Sequence, residues 1–210
     1  MSDSPNVIIV DHPIIRTKLT ELRDFATNYR QFRDLLDEIA MLMTYEVTRD
    51  FPTRSCVVRT PLEQTTGYVL ARKVTLVPVL RAGLGMADGV LAVLPDANVG
   101  HLGVYRDEQT LEPIPYYQKL PPDIQDTEVL VIDPMLATGG SAAAAIGFLK
   151  KAGVKHLKFM CLVAAPEGIQ GLHAQHPDVQ IYCAAVDRQL NEIGYILPGL
   201  GDAGDRIFGT

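Results

Sequence analysis

The sequence predicts an α/β protein whose core is a mainly parallel, doubly wound sheet with helices on both faces. Unbroken apolar runs at 74–80 and 129–132 have the pattern of strands that are buried on both sides. Segments with helical periodicity alternate with such runs through most of the chain, which is typical of parallel sheets with right-handed crossovers. The 210 residues suit a single domain, 1–210, with a sizeable core.

The N-terminal third is predicted to contain a short strand followed by two helices. Residues 7–10 form a short β-like run, and apolar residues then recur at steps of three and four from 17 to 43. Asn28 with Gln31 three residues later resembles a capping box, which predicts a joint between two helices just before Asn28. Charged residues between the apolar positions are expected on a solvated face. Another short strand is expected at 57–62.

The remaining elements follow the two buried runs. We expect a strand at 99–105, a mobile polar loop from 106 to 115, and an arm strand bounded by prolines at 115–122. Farther on, the predicted elements are a helix from Gly140 to Lys151, a strand at 156–165, a helix at 166–176 and a strand at 179–186.

Composition narrows the class of protein. The net charge of −6 argues against a protein whose main task is to bind nucleic acid. No stretch approaches the roughly 18 consecutive apolar residues of a membrane span, and the N-terminus lacks export features, so we expect a cytoplasmic protein. The three cysteines are odd in number and widely separated, which favours buried free thiols. The histidines His156, His173 and His176 lack metal-ligand spacing, so no metal site is predicted.

The clearest functional pattern follows the run at 129–132. Asp133 stands at the carboxyl end of the predicted strand, where open α/β sheets bind their ligands. Thr138–Ser141 then offers backbone N–H groups at the start of a helix, whose dipole favours an anion. We interpret this stretch as a phosphate-binding loop beside a sugar-binding acid. The alternative is a tight turn that binds no ligand.

Arginines follow two of the predicted strands. Arg81 comes directly after 74–80 and precedes a loop of small residues, where its planar guanidinium could bind a phosphate through two hydrogen bonds. The alternative is a surface arginine that caps the strand. Arg106 comes directly after 99–105 and is, by itself, only a charged residue at a strand end.

The C-terminal segment is rich in glycine. Its glycines match a dinucleotide-binding spacing, but too few residues follow for a βαβ unit. A flexible chain end is one interpretation. The other is a docked segment, because Tyr195, Ile196, Ile207 and Phe208 supply apolar surface and glycine lets a backbone approach a flat ligand closely.

Four motifs, in their order along the chain, resemble those of the uracil phosphoribosyltransferase family. They are Leu80–Gly83, Tyr105–Arg106, Ile132–Ser141 and Tyr195–Phe208. The third resembles the phosphoribosyl pyrophosphate (PRPP) motif of type I phosphoribosyltransferases, in which a second acid usually follows the first. Pro134 occupies that place here, and this departure is itself typical of the uracil branch.

The resemblance implies the type I phosphoribosyltransferase fold with a protruding β-arm and a small base-binding hood at 187–210. It implies a glycosyltransferase, more narrowly a pentosyltransferase, that joins uracil to PRPP and gives UMP and pyrophosphate in pyrimidine salvage. Arg106 and Asp202 would be catalytic. PRPP would be bound by Arg81, Arg106, Asp133, Pro134, Met135, Leu136, Ala137, Thr138, Gly139, Gly140, Ser141 and Asp202. Uracil would be bound, largely through main-chain groups, by Tyr195, Ile196, Gly201, Asp202 and Ala203.

The resemblance also has implications for cofactors and partners. Mg²⁺ is expected to arrive with PRPP, GTP is a candidate activator, and the chain is expected to form a homodimer or homotetramer. Neither nucleic acid nor membrane is an expected partner. Two other functions are kept as alternatives. One is a PRPP-sensing regulator that binds RNA, which the acidic charge disfavours, and the other is an enzyme for another base such as a purine, which the hood disfavours.

Overall fold

The computed structural model describes residues 6–106 and 113–210, apart from the side chains of residues 104–106 and 113–115. Most of the loop predicted between 106 and 115 therefore lies outside the described residues. Six α-helices are described: α1 Pro13–Arg23, α2 Tyr29–Val47, α3 Ala87–Val93, α4 Gly140–Lys151, α5 Pro166–Gln175 and α6 Ala203–Phe208. The described strands are β1 Val7–Ile9, β2 Thr53–Arg59, β3 Gln64–Leu70, β4 Val74–Leu80, β5 Asn98–Val99, β6 His101–Arg106, β7 Pro113–Lys119, β8 Glu128–Ile132, β9 Met135–Leu136, β10 His156–Ala164, β11 Gln180–Val186, β12 Gln189–Leu190 and β13 Ile196–Leu197.

The main sheet confirms the predicted fold class. Its strand order is β1-β11-β10-β8-β4-β6-β7, and the neighbours pair in parallel except for the edge strand β7. From β4 the chain continues to β6 on one side of that strand and later to β8 on the other. The crevice at the carboxyl ends of β4 and β8 is therefore the place where folds of this kind bind ligands.

Both faces of the sheet are covered by helices. Along β8, Leu130 and Ile132 pack into one core layer with α1, α2, α3 and α6. The alternate residues Val129 and Val131 pack into a second layer with α4 and α5. All five residues of β8 are buried, which explains why the strand reads as a continuous apolar run.

The helix joint near Asn28 is confirmed. The Asn28 side chain accepts a hydrogen bond from the backbone N–H of Gln31 at 3.1 Å, and the Gln31 side chain accepts one in return from the N–H of Asn28. The first helix begins at Pro13, four residues before the periodic pattern does. The N-cap there is His12, whose ring accepts from the N–H of Ile14.

The predicted strand at 57–62 is wrong in its extent. Strand β2 ends at Arg59 and pairs with β3, which the sequence did not predict, in an antiparallel hairpin that we call the hairpin arm, residues 53–70. Nearly all of its side chains are exposed, so no buried face leaves a periodic pattern in the sequence. The strand expected as an arm at 115–122 is instead the edge strand β7 of the main sheet.

The strand predicted at 99–105 is divided at Gly100, whose N–H donates to the carbonyl of Leu76 at 2.8 Å. The cysteines are free thiols: Cys161 and Cys183 are buried as predicted, whereas Cys56 lies half-buried in the hairpin arm. No helix in the described part of the chain is long and apolar enough to cross a membrane.

Candidate active site

Three neighbouring strands bring the predicted polar residues to one edge of the sheet. Asp133 follows β8, Arg81 follows β4, and Arg106 is the last residue of β6, in the spatial order β8-β4-β6. Because parallel strands share an orientation, these three backbone positions lie at the same carboxyl edge. The side chain of Arg106 lies outside the described atoms, so its role stays a prediction.

The first half of the candidate phosphate-binding loop, residues 133–141, is held against strand β10 by backbone hydrogen bonds. The N–H of Asp133 donates to the carbonyl of Met160 at 3.2 Å. The carbonyl of Pro134 accepts from two N–H groups of β10 at 3.0 and 3.1 Å, and that of Leu136 accepts from Ala165 at 2.9 Å. A short strand, β9, forms here and pairs with β10. The sequence suggested a free loop, whereas this part of it continues the sheet.

The second half of the loop lies against helix α5. Gly139 has a left-handed backbone, with φ at 82°, and is the N-cap of α4, where it offers no side chain to cap that helix. A β-carbon on Gly168 of α5 would lie 2.4 Å from the carbonyl oxygens of both Leu136 and Ala137. Loop and helix are therefore in direct backbone contact at a position where only glycine fits.

Gly168 is a site residue that sequence reasoning missed. The same helix carries Gly171, where a β-carbon would lie 2.6 Å from the carbonyl of Thr138. Two glycines spaced three apart lie on one face of a helix. That spacing was the available signal, and it indicates a helix face that another backbone approaches closely.

The tip of the loop is open to solvent. Thr138, Gly140 and Ser141 are exposed. The contact from the N–H of Gly140 to the hydroxyl of Thr138 is long, at 3.4 Å. The N-terminus of α4 therefore presents backbone donors to solvent at the positive end of the helix dipole, as an anion site requires.

The carboxyl of Asp133 is perturbed by its surroundings. Burial raises its pKa from 3.8 to about 7, and the nearby negative charge of Asp202 acts in the same direction. A hydrogen bond from the N–H of Met135, at 3.3 Å, acts in the opposite direction. The structure thus brings Asp133 and Asp202 near one another, although almost 70 residues separate them.

The C-terminal segment docks, as the apolar residues in it predicted. Ile196 and Ile207 are buried, whereas Tyr195 and Phe208 remain partly exposed. Asp202 is the N-cap of α6, a helix that the sequence did not predict, and its side chain accepts from the N–H of Asp205 at 3.0 Å.

Arg81 lies between the sheet edge and this segment. Its Nη2 is 3.9 Å from a carboxylate oxygen of Asp205, and its guanidinium carbon is 5.8 Å from the centre of the Phe208 ring. Of the predicted base-binding residues, Ile196 lies in β13, Gly201 in the connection after it and Ala203 at the start of α6. Through Asp205 and Phe208, Arg81 therefore links α6 to the carboxyl end of β4.

The strand order, with a glycine-containing loop between the end of β8 and α4, defines the chain as a phosphoribosyltransferase of the type I fold. Solved structures agree. A hypoxanthine-guanine phosphoribosyltransferase from Bacillus anthracis has a TM-score of 0.53 over 76% of this chain and 80% of that one, with 15% identity, which shows the fold alone. The AQ2163 protein from Aquifex aeolicus has a TM-score of 0.91 and 36% identity, covering 97% of this chain and 98% of that one.

Sequence comparison identifies the family. The family model described as uracil phosphoribosyltransferase matches residues 9–210. A uracil phosphoribosyltransferase from Dictyoglomus turgidum is 60% identical over 205 residues, which are 97% of this chain and 99% of that relative. One from Geobacillus kaustophilus is 55% identical, covering 97% and 98%. The chain belongs to the uracil phosphoribosyltransferase family, and the predicted resemblance is confirmed.

Proposed function

We propose that this chain transfers the phosphoribosyl group of PRPP to uracil, giving UMP and pyrophosphate in pyrimidine salvage. Membership of the family supports a pentosyltransferase with uracil as the acceptor. The observation that carries the proposal is the edge where Asp133, the exposed start of α4 and Arg81 meet the C-terminal segment. That segment, residues 187–210 of a single domain spanning 1–210, is the proposed base-binding hood.

Different residues at the sheet edge bind different parts of the PRPP molecule. Backbone N–H groups of Ala137–Ser141 bind the 5′-phosphate at the dipole of α4. Asp133, as a carboxylate, accepts hydrogen bonds from the ribose hydroxyls. Arg81 and Arg106 bind the departing pyrophosphate through their guanidinium groups. Pro134, Met135 and Leu136 complete the contact by holding the loop in place.

The chemistry is a displacement at an anomeric carbon through a state with oxocarbenium character, so no covalent nucleophile is needed. The protein contributes positioning and charge stabilisation. Asp202 rigidifies the start of α6 by capping it and adds negative charge near Asp133. Arg106 would stabilise charge on the leaving group, since it ends a strand beside β4.

Main-chain groups of the hood suit uracil. The edge of this base alternates carbonyl and N–H groups. Backbone donors and acceptors near Ile196 and Gly201–Ala203 would form hydrogen bonds with these groups. Cytosine would leave some of these buried groups without partners, which disfavours its binding.

The site fits magnesium that arrives with PRPP. No group of three or more His, Cys, Asp or Glu in the described ranges is placed to hold a metal by itself. The pKa of Asp133 is raised mainly by burial and further by the negative charge of Asp202, and a cation beside these two residues would favour the ionised form of Asp133. We propose that phosphate oxygens and water supply most ligands of the Mg²⁺, which would neutralise charge on the pyrophosphate.

The hairpin arm supports the proposal of a homodimer or homotetramer. Cross-strand pairing places Val57, Tyr68 and Leu70 on the arm with exposed fractions of 78%, 72% and 40%. A two-stranded hairpin with exposed apolar side chains is marginally stable in water. We therefore propose that a second copy of the chain packs against the apolar side chains of the hairpin arm. Sedimentation of a Tyr68→Asp variant tests this proposal, because a variant that keeps the mass of the native assembly would contradict it.

Regulation and compartment are further parts of the proposal. GTP is kept as the candidate activator. The cytoplasm is proposed as the compartment because all three cysteines are free thiols, which fits a reducing environment.

A direct assay tests the function. PRPP and Mg²⁺ are incubated with each free base in turn, with and without GTP, and nucleotide formation is measured. We expect UMP from uracil and far less product from cytosine or the purines. Preference for another base would refute the uracil assignment. Retention on RNA at physiological salt, together with no UMP synthesis, would favour the RNA-binding regulator instead.

A further inference from the structure

A buried ion pair joins the hood to the first helix. Arg23 is the last residue of α1, and Asp187 directly follows β11. The two guanidinium nitrogens of Arg23 contact the two carboxylate oxygens of Asp187 at 2.7 and 2.8 Å. The side chains are only 22% and 6% exposed, so the pair is largely shielded from water. The sequence had suggested that charged residues of α1 are solvated, and for Arg23 that expectation is wrong.

The same two side chains hold both polar backbone groups of Gly199. Arg23 donates to the carbonyl of Gly199 at 2.7 Å, and the N–H of Gly199 donates to Asp187 at 2.8 Å. Gly199 has a φ of 65°, and a β-carbon there would lie 2.1 Å from the carbonyl of Ile196. The pair therefore fixes a tight turn that a side chain at this position would disrupt.

This turn lies inside the proposed base-binding segment. Ile196 is three residues before Gly199, and Gly201 is two residues after it. If uracil is recognised by main-chain groups, its affinity depends on the orientation of these peptides. Arg23 and Asp187 act on that orientation without being among the residues expected to contact the base.

We infer that Arg23 and Asp187 are positioning residues for uracil: by clamping Gly199 they set the backbone geometry that binds the base. This inference rests on the proposed function and names residues that set the affinity for its acceptor. Removing one partner frees the Gly199 peptide and leaves the other charge unpaired in a shielded place.

The alternative is that the pair only attaches the hood to the rest of the protein. Other contacts already do so. Arg206 of the hood donates to the carbonyls of Leu22 and Asp24 at 2.8 and 2.6 Å. Arg33 of α2 donates to the carbonyl of Ile207 at 2.9 Å. With these contacts intact, the hood stays docked when the Arg23–Asp187 pair is lost, so changing the pair tests geometry rather than attachment.

The test uses the full-length enzyme with Asp187→Asn and Arg23→Lys. Asparagine is nearly isosteric with aspartate. Lysine keeps the positive charge of arginine but cannot form the bidentate contact with Asp187. We expect Asp187→Asn to raise KM for uracil roughly 10- to 100-fold, while KM for PRPP changes less than about 3-fold. Arg23→Lys should give an intermediate rise in KM for uracil. Thermal unfolding of each variant is measured beside the kinetics.

The control is Glu128→Gln. Glu128 pairs with Arg72 at 2.6 Å and is also mostly buried, but it lies at the start of β8, at the end of the sheet opposite Asp133. We expect this variant to lose stability without a selective change in KM for uracil.

Two results would overturn the inference. One is a native KM for uracil in Asp187→Asn, and the other is an equal rise of KM for both substrates that Glu128→Gln reproduces. If the unmodified enzyme formed no UMP, the proposed function would be refuted. If the unmodified enzyme is active and the variants keep its KM for uracil, only the inference about Arg23 and Asp187 is refuted.

Discussion

The phosphate-binding loop and the hood are built in different ways. The loop, residues 133–141, is held by backbone contacts with the adjacent strand β10 and helix α5. The hood, residues 187–210, packs apolar side chains into the core, and its polar contacts with α1 and α2 are made by arginine side chains. Two of these polar partners, Arg23 and Asp187, are 164 positions apart in the sequence. Backbone packing makes the loop sensitive to any added atom, whereas the hood is sensitive to the loss of a polar partner. The contrast predicts which substitutions impair which substrate.

The largest effect is expected from Gly168→Ala. The new methyl group would collide with the carbonyls of Leu136 and Ala137, so the loop must move away from α5. Displacement of a binding group by about 1 Å costs on the order of 100-fold in rate, and we expect kcat/KM for PRPP to fall by about that factor.

Gly147→Ala is the matched control for this substitution. Gly147 lies in α4, and the nearest heavy atom to an added β-carbon is 3.8 Å away, an ordinary contact. We expect near-native kinetics and unchanged or slightly raised stability, because alanine favours helix. Native kinetics in Gly168→Ala would contradict the backbone contact proposed for the loop.

A smaller loss of activity is expected from Asp133→Asn. The carboxylate proposed to accept from the ribose hydroxyls is replaced by an amide, and we expect kcat/KM for PRPP to fall roughly 10- to 100-fold, since charge-assisted hydrogen bonds are worth about 1.5–3 kcal/mol. KM for uracil should change little. Steady-state kinetics with each substrate varied in turn measures the effect, and a native kcat/KM for PRPP would remove Asp133 from the ribose site.

The same variant should change the pH dependence of stability. The pKa of Asp133 is about 7 in the folded protein and 3.8 when unperturbed, so the folded state binds the extra proton and loses stability as the pH rises between these values. Asparagine does not ionise. The variant should therefore match the native protein in free energy of unfolding at pH 4 and exceed it at pH 8. We expect a difference of about 1–2 kcal/mol at pH 8, which is smaller than the full pKa shift implies because Asp133 retains some solvent contact.

Urea unfolding of both proteins across this pH range measures the difference, and titrations shared by the two proteins cancel. A difference in the free energy of unfolding that does not change with pH would show that Asp133 is ionised normally in the folded state.

The smallest effect on activity is expected from Arg206→Lys in the hood. Arg206 donates to the carbonyls of Leu22, Asp24 and Leu200 and lies over the ring of Phe32. An ammonium group cannot reach all of these partners, so we expect a stability loss of about 1–3 kcal/mol. KM for uracil should rise roughly 3- to 10-fold, with KM for PRPP almost unchanged.

Arg49→Lys is the control, since Arg49 forms an exposed pair with Glu46 that should contribute little to stability. A rise of KM for PRPP equal to that for uracil in Arg206→Lys would break the contrast between loop and hood.

The contrast also explains what the sequence could predict. Strand β4 was predicted at its observed bounds, because burial on both faces leaves an unbroken apolar run. Asp133 and the loop after it were proposed as a binding site because strand, acid, glycines and helix are adjacent in the chain. The second strand of the hairpin arm was missed because its side chains are exposed, so burial imposes no pattern on them.

Contacts between distant segments could not be predicted in this way. The approach of Gly168 to the loop depends on how α5 packs on the sheet, and a glycine within a helix does not by itself indicate which segment lies against it. The partner of Arg23 lies after the last long strand, and an arginine at a helix end is usually solvated. Local sequence thus predicts the candidate phosphate site, whereas tertiary structure is needed to find the contacts that shape the proposed base site.

Because its pKa is raised, the carboxyl of Asp133 is partly protonated at neutral pH. With a pKa of about 7, about half of the molecules carry that proton at pH 7. Mg²⁺ and PRPP binding beside the carboxyl would favour its ionised form and release the proton to the solvent. The heat of binding in calorimetry should then vary with the ionisation enthalpy of the buffer, and the variation should be smaller in Asp133→Asn.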